Sequence, residues 1–85
     1  MTRVRIRYWA GARAAAGCAE EEFDAGSVLA ALQAARAARP GNDAFDRVLA
    51  VCSVLVDGVS VHRDRLGEPL AGPVEAEVLP PFAGG

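Results

Sequence analysis

Arg3-Val4-Arg5-Ile6-Arg7-Tyr8-Trp9 alternates a cation with an apolar side chain at almost every step, and that two-residue period belongs to a strand covered on one side only. Val4, Ile6 and Tyr8 fall on the covered face, and Arg3, Arg5 and Arg7 on the other. Downstream, Gly11 to Gly17 is a small-residue connection with room for one helical turn. Glu20 to Asp24, around Phe23, supplies a second short strand whose acidic residues can stand opposite the arginines as cross-strand pairs. Exposed charges in such a pattern are ordinarily a solvated face, not an anion-binding stripe.

Ser27 is positioned as the N-cap of a helix from Val28 to about Arg39, with no capping-box glutamate because Ala30 occupies that place. Val28, Leu29, Leu32 and Ala35 share one face of it, and Gln33, Arg36 and Arg39 fall elsewhere. Pro40-Gly41-Asn42 stops the helix, since the residue before proline is biased away from helical dihedrals. The spacing of Phe45, Val48 and Leu49 predicts a shorter helix over Asp43 to Ala50. Val51 to Val56 is rich in β-branched residues, and Asp57-Gly58 is a hairpin signal because both positions tolerate positive φ. Val59 to Val61 returns, His62 to Pro73 reads as a loop anchored by Leu66 and Leu70, and Val74 to Leu79 alternates as the final strand. A mixed sheet packed on one main helix is the two-layer solution for this order. If the last strand pairs in parallel with the first, the fold is an α+β β-grasp, the ubiquitin-like arrangement.

The chain has 85 residues, enough for one hydrophobic core and not two. Of its apolar residues 18 are alanine, so the core must be thin, and a cleft cut through it would be hard to sustain. Function is expected at the surface or the termini. A net charge of -2 argues against nucleic acid or an anionic membrane as the main partner. All nine cations are arginine, which excludes a Schiff-base lysine, a phosphate-loop lysine and a side-chain acceptor for isopeptide attachment. Val48 to Val56 is too short to span a bilayer, and the arginine-studded N-terminus lacks the apolar block of a secretory signal. The expectation is a soluble, cytoplasmic protein.

Cys18 and Cys52 are too few for a disulfide scaffold and have no companions at metal spacing. Both read as reduced, small apolar side chains; the alternative for Cys18 is a redox or acyl-transfer thiol, which no neighbouring histidine supports. His62, the single histidine, reads as a solvated strand residue, and no metal site is expected.

The remaining segment is Leu79-Pro80-Pro81-Phe82-Ala83-Gly84-Gly85. Each proline removes an N–H and fixes φ, so Pro80-Pro81 ends the sheet and launches an extended leash. Residues 1–79 are thus expected to form the domain and residues 80–85 a flexible C-terminal Gly-Gly tail, reaching roughly 20 Å at full extension. Phe82 offers one apolar anchor, while Ala83, Gly84 and Gly85 have almost no bulk. Such a peptide can thread a narrow tunnel and deliver its terminal carboxylate into another protein.

These residues resemble the small subunit of molybdopterin synthase, the MoaD-type sulfur carriers. The tail is the most specific match; Tyr8-Trp9-Ala10-Gly11-Ala12-Arg13 is similar to the family's segment at the end of its first strand, and Val54-Leu55-Val56-Asp57-Gly58 to its hairpin. The chain departs from many relatives in having Gly72-Pro73 before the last strand and Asp57-Gly58 in the hairpin. The resemblance implies that the Gly85 carboxylate is the reactive group, adenylated and then converted to a thiocarboxylate. It implies that Pro80, Pro81, Phe82, Ala83 and Gly84 bind partners. Arg13 either meets a partner's acidic surface or is a solvated loop arginine. The implied partners are the large synthase subunit in a 2+2 heterotetramer, a ubiquitin-activating-type enzyme using ATP and Mg, and a sulfurtransferase. No cofactor is implied on the chain itself. Sulfur would pass to cyclic pyranopterin monophosphate, with catalytic residues on the large subunit. Carriers for thiamine or cysteine synthesis and protein-conjugating relatives also end in Gly-Gly, and a non-reactive interaction module is the alternative from a different class.

Overall fold

The computed structural model describes residues 1–81; the readings that concern Phe82, Ala83, Gly84 and Gly85 lie outside the described residues. Five strands form one sheet: β1 (Thr2–Tyr8), β2 (Glu20–Ala25), β3 (Ser53–Val56), β4 (Val59–Val61) and β5 (Val74–Leu79). Their order is β2-β1-β5-β3-β4. β1 and β5 run parallel, with Val4 beside Val74 and Tyr8 beside Val78, whereas β1–β2, β3–β4 and β3–β5 are antiparallel. The parallel central pair is the feature that makes this mixed sheet a β-grasp.

Among the described residues three α-helices and one short 3-10 turn (Arg63–Arg65) complete the fold: α1 (Ala10–Ala16), α2 (Val28–Ala37) and α3 (Asp43–Val51). Val4, Ile6, Tyr8, Val54, Ala76 and Val78 meet Ala31, Ala35 and Phe45 in a core whose members are at most a few per cent exposed. Tyr8 and Phe45 pack edge to face, centroids 5.6 Å apart. The alanines explain how a thin core still closes. Ala12, Ala31, Ala35 and Ala76 are wholly buried, and a methyl group in place of a longer side chain lets helix and sheet backbones approach closely.

Local signals behave as the side chains dictate. Ser27 Oγ accepts from Ala30 N at 3.1 Å and caps α2; Asn42 Oδ1 accepts from Phe45 N at 2.9 Å and caps α3. Asp57 and Gly58 both take positive φ (49° and 83°), the requirement of a two-residue hairpin turn that matches strand twist. Leu66 is buried and Leu70 half-buried, as the loop reading requires.

Four expectations need correction. The Gly11–Gly17 connection holds two helical turns, because an alanine run has the highest helix propensity and Gly17, at φ 82°, supplies the left-handed stop. Val51 is the last residue of α3 and 61% exposed, so the strand begins only at Ser53. Leu29 lies on the open side of α2 at 41% exposed and is not core. Arg39, assigned away from the core, lies beyond the end of α2 and turns back beneath it.

Candidate functional site

The place to look is the point where β5 ends. Leu79 is its last residue, paired with Ser53 of β3; Pro80 then has no N–H to continue the ladder. On the other side Trp9 N donates to Val78 O at 3.1 Å, after which β1 also stops. Because the two strands are parallel, β1 delivers Trp9 and α1 to the same end of the sheet at which β5 delivers Pro80 and Pro81. Pro80 is half-buried and Pro81 exposed.

The turn out of β1 is tight. Ala10 takes φ 49°, a left-handed conformation a non-glycine residue adopts at some cost, and it swings the chain from strand into α1 while leaving the Trp9 side chain on the sheet's open face. There the indole Nε1 donates to Glu77 Oε1 at 3.1 Å, and the Arg7 guanidinium lies 5.8 Å from the ring centroid. The register places Arg7 beside Glu77, Glu77 beside Leu55, and Leu79 beside Ser53 on this same open face. Trp9 is 42% exposed, with half-buried Leu55 and Leu79 on the same open face. Arg13 is exposed in the first turns of α1, its N–H bonded to Trp9 O. The structure thus gathers Arg13, Pro80 and Pro81 at one end of the central strand pair. The sequence reading did not single out Trp9 and Glu77 as a pair. The available signal was an aromatic residue one step beyond the last covered position of a strand.

A second polar corner lies on the opposite side of β1. Tyr8 donates its hydroxyl to Glu21 Oε1 at 2.7 Å; Arg39 donates to the same oxygen at 2.7 Å and to Ala16 O and Ala35 O. The Arg39 guanidinium sits 4.6 Å from the Phe45 ring centroid and 5.6 Å from that of Tyr8. Burial and the Glu21 acceptor push the Tyr8 phenol far above its ordinary value. Burial alone would raise the Glu21 carboxyl, but the Arg39 and Tyr8 hydrogen bonds and the Arg39 charge together hold it below the usual carboxylate range. Cys18 is half-buried here, its sulfur 3.5 Å from Arg39 Nη2.

Little else on the body offers chemistry. The open face carries the expected charge ladder, Arg5 to Glu22 at 2.9 Å and Arg7 to Glu20 at 3.2 Å. Burial pushes the Cys52 thiol up, which makes it a poor nucleophile. His62 is exposed just past β4, its ring nitrogen accepting from Asp64 N at 3.3 Å. Among the described residues no three of His, Cys, Asp and Glu come together as a metal-holding group, and no helix is long and apolar enough to cross a membrane.

A ubiquitin-like β-grasp body whose central parallel strand hands the chain to a diproline defines a class: small ubiquitin-like proteins. Residues 6–85 match the model of the ThiS family, and the chain belongs to that ThiS/MoaD-type family. Among solved structures it is similar to small archaeal modifier protein 1 from Methanosarcina acetivorans (TM-score 0.81, 24% identity, covering 100% of this chain and 98% of that one). It is likewise similar to SAMP1 from Haloferax volcanii (TM-score 0.77, 26% identity, 98% and 99% covered). A third likeness is to the complex of subunits 1 and 2 of molybdopterin-converting factor from Helicobacter pylori 26695 (TM-score 0.67, 19% identity, 99% and 100% covered). No curated protein matches.

Proposed function

We propose that this chain is the sulfur carrier subunit of a molybdopterin synthase. An α-carboxylate such as that of Gly85 is ionised at neutral pH and a poor electrophile, so it needs activation. A ubiquitin-activating-type partner supplies it, using ATP and Mg to form the acyl-adenylate. A sulfurtransferase then provides the sulfur that displaces AMP and leaves a thiocarboxylate. The tail enters the large subunit, in a 2+2 heterotetramer, and gives its sulfur to cyclic pyranopterin monophosphate. The chain offers no lysine, and in this scheme the catalytic residues belong to the partners.

The observation that carries this reading is the geometry of the exit. β5 ends at Leu79 in the middle of the sheet, Pro80-Pro81 follows, and Trp9, Leu55 and Leu79 flank the point of departure on the open face. The H. pylori complex supports a large-subunit partner, since a chain of this fold stands in it beside a second subunit. The test is the intact mass after incubation with ATP, Mg, adenylating enzyme and a sulfur source, followed by assay of pterin dithiolene formation with the large subunit. Exchange of one oxygen for sulfur and dithiolene product are expected; neither adenylate nor sulfur on the chain would overturn the reading in favour of a docking module.

The likeness to two SAMP1 structures favours a second reading, a protein modifier. Both share the adenylation step and differ in the acceptor: a sulfur donor for the carrier, a protein amine for the modifier. Thiocarboxylate without covalent conjugates separates them, as do the thiamine and cysteine carriers, which would load sulfur yet fail in the dithiolene assay.

A further inference from the structure

We infer that the folded body is blind to its own activated terminus: once the Gly85 carboxyl is an acyl-adenylate or thioester, no amine of the same body captures it, and every transfer runs to another molecule. This rests on the reading that Gly85 is the reactive group. The chain has no lysine, and its nine cations are arginines. A guanidinium stays protonated at any physiological pH and offers no free lone pair, whereas a lysine amine, with a pKa of about 10.4, always keeps a nucleophilic fraction.

Placement matters most at the exit. Arg7 stands beside Glu77, two residues before β5 ends, and Arg13 lies in the helix that starts at the same end of the sheet. An amine at either position would fall within the roughly 20 Å that six residues can span at full extension. Arginine keeps the positive charge that Arg7 needs against Glu20 at 3.2 Å while removing the nucleophile. Any amine preceding Thr2 is held off by topology. β1 runs parallel to β5 with Tyr8 beside Val78, so Met1 lies eight residues back from the level of Leu79, roughly 26 Å at strand rise and beyond the leash. The remaining nucleophiles are hydroxyls, which are weak, two thiols, whose acyl products exchange back, and the His62 imidazole, whose acyl product is hydrolysed to the acid. Cys52 is buried with a raised pKa.

The experiment uses the full chain carrying Gly85 as a thioester, made by intein cleavage, in wild type, R7K, R13K and R3K. In the capturing step the lysine nitrogen attacks the carbonyl carbon, a C–N bond forms, the C–S bond breaks, and the departing thiol takes up the proton the amine loses. Intact mass reads the outcome: hydrolysis gives the acid, cyclisation gives an amide lighter by one water, and intermolecular capture gives a thiol-resistant dimer. Wild type should give the acid alone, and R7K or R13K the amide at least about tenfold faster than any in wild type, as tethering dictates. R3K, some six residues back along β1, should lag behind both. Amide in wild type as fast as in the variants, or both near-exit variants as inert as wild type while added glycine amide still traps the thioester, would overturn the inference. No adenylating enzyme is present, so this result stands apart from the sulfur-loading assay that decides the reading beneath it.

Discussion

Tyr8 and Trp9 are consecutive residues that build the same trio twice, an aromatic ring, a carboxylate and an arginine, on opposite sides of β1. Tyr8, Glu21 and Arg39 close one corner beneath α2, where the Arg39 and Glu21 side chains are 13% and 24% exposed. Trp9, Glu77 and Arg7 form the other on the open face, with Trp9 at 42% and the Arg7 side chain at 41% exposed. In the closed corner Arg39 also binds Glu21, whereas in the open one Arg7 pairs with Glu20 and only stacks on the Trp9 ring, and water reaches the open corner far more than the closed one. Charge-assisted hydrogen bonds removed from solvent are costly to break, and they fix the geometry of the body. Exposed bonds such as Trp9 to Glu77 contribute little to stability and leave the ring available to a partner.

The largest effect should come from the end beyond the open corner. If Gly85 is the proposed reactive group, deleting it should abolish sulfur loading and leave the melting temperature unchanged, because the described core is built from residues between Val4 and Val78. Loading measured by intact mass alongside thermal unfolding checks both halves; a deletion variant that still accepts sulfur breaks the assignment. Next is the closed corner itself. Arg39→Ala strips Glu21 of its partner and uncovers two rings, and should cost about 2–3 kcal/mol in denaturant unfolding without changing loading at temperatures where the variant is folded. A cost below about 0.5 kcal/mol would mean the two corners do not differ as argued.

Acid and alkali probe the closed corner from both ends. Glu21 has its folded pKa below its unfolded value of about 4.3, so its contribution is complete above that pH and is lost as pH falls through the folded value. Tyr8 is shifted the opposite way: its contribution is complete below the unfolded value of about 10 and is lost as pH rises beyond it. Glu21→Gln should flatten the acid limb of the stability curve, and Tyr8→Phe the alkaline one. Limbs parallel to wild type in denaturant titrations would show that neither group carries the dependence.

The difference between the corners also governed what could be read in advance. The strands around the open face were legible, β4 and β5 to the residue, because their alternation repeats every second position and their register follows from it. The Arg–Glu ladder was legible for the same reason. Arg39 was not: helical periodicity places residues only while the helix lasts, and α2 stops at Ala37. Its partner lies 18 residues away in the Glu20-Glu21-Glu22 run, where only the sheet register shows that the middle glutamate faces the core side. Leu29 failed by a smaller margin, since one apolar face drawn 100° wide did not say which flank the loop at Leu66 would leave uncovered. At the exit, Pro80 and Pro81 announced themselves by lacking an N–H, whereas the Trp9–Glu77 pair required knowing that β1 and β5 end side by side.

If the open corner is a docking rim, truncating its ring should hurt binding more than folding. Trp9→Ala forfeits one exposed hydrogen bond and a partly solvated aromatic surface, worth less than about 1 kcal/mol to the isolated domain. At an interface the same indole would be desolvated on all sides, where an aromatic anchor is worth at least about tenfold in affinity. Phe82→Ala should follow the same pattern, weakening partner binding with no matching loss of melting temperature. Arg3→Ala is the smallest change and the sharpest control: Arg3 sits on the open face at 65% exposed, 3.4 Å from Glu22, yet at the end of β1 remote from Val78. It shares the face and the ion pairing of Arg7 but not the exit, so both stability and affinity for the large subunit should stay within about 0.5 kcal/mol of wild type. Titration calorimetry against that subunit decides the matter. An Arg3→Ala loss as large as that of Trp9→Ala would mean the whole charged face docks, and that proximity to the exit confers nothing.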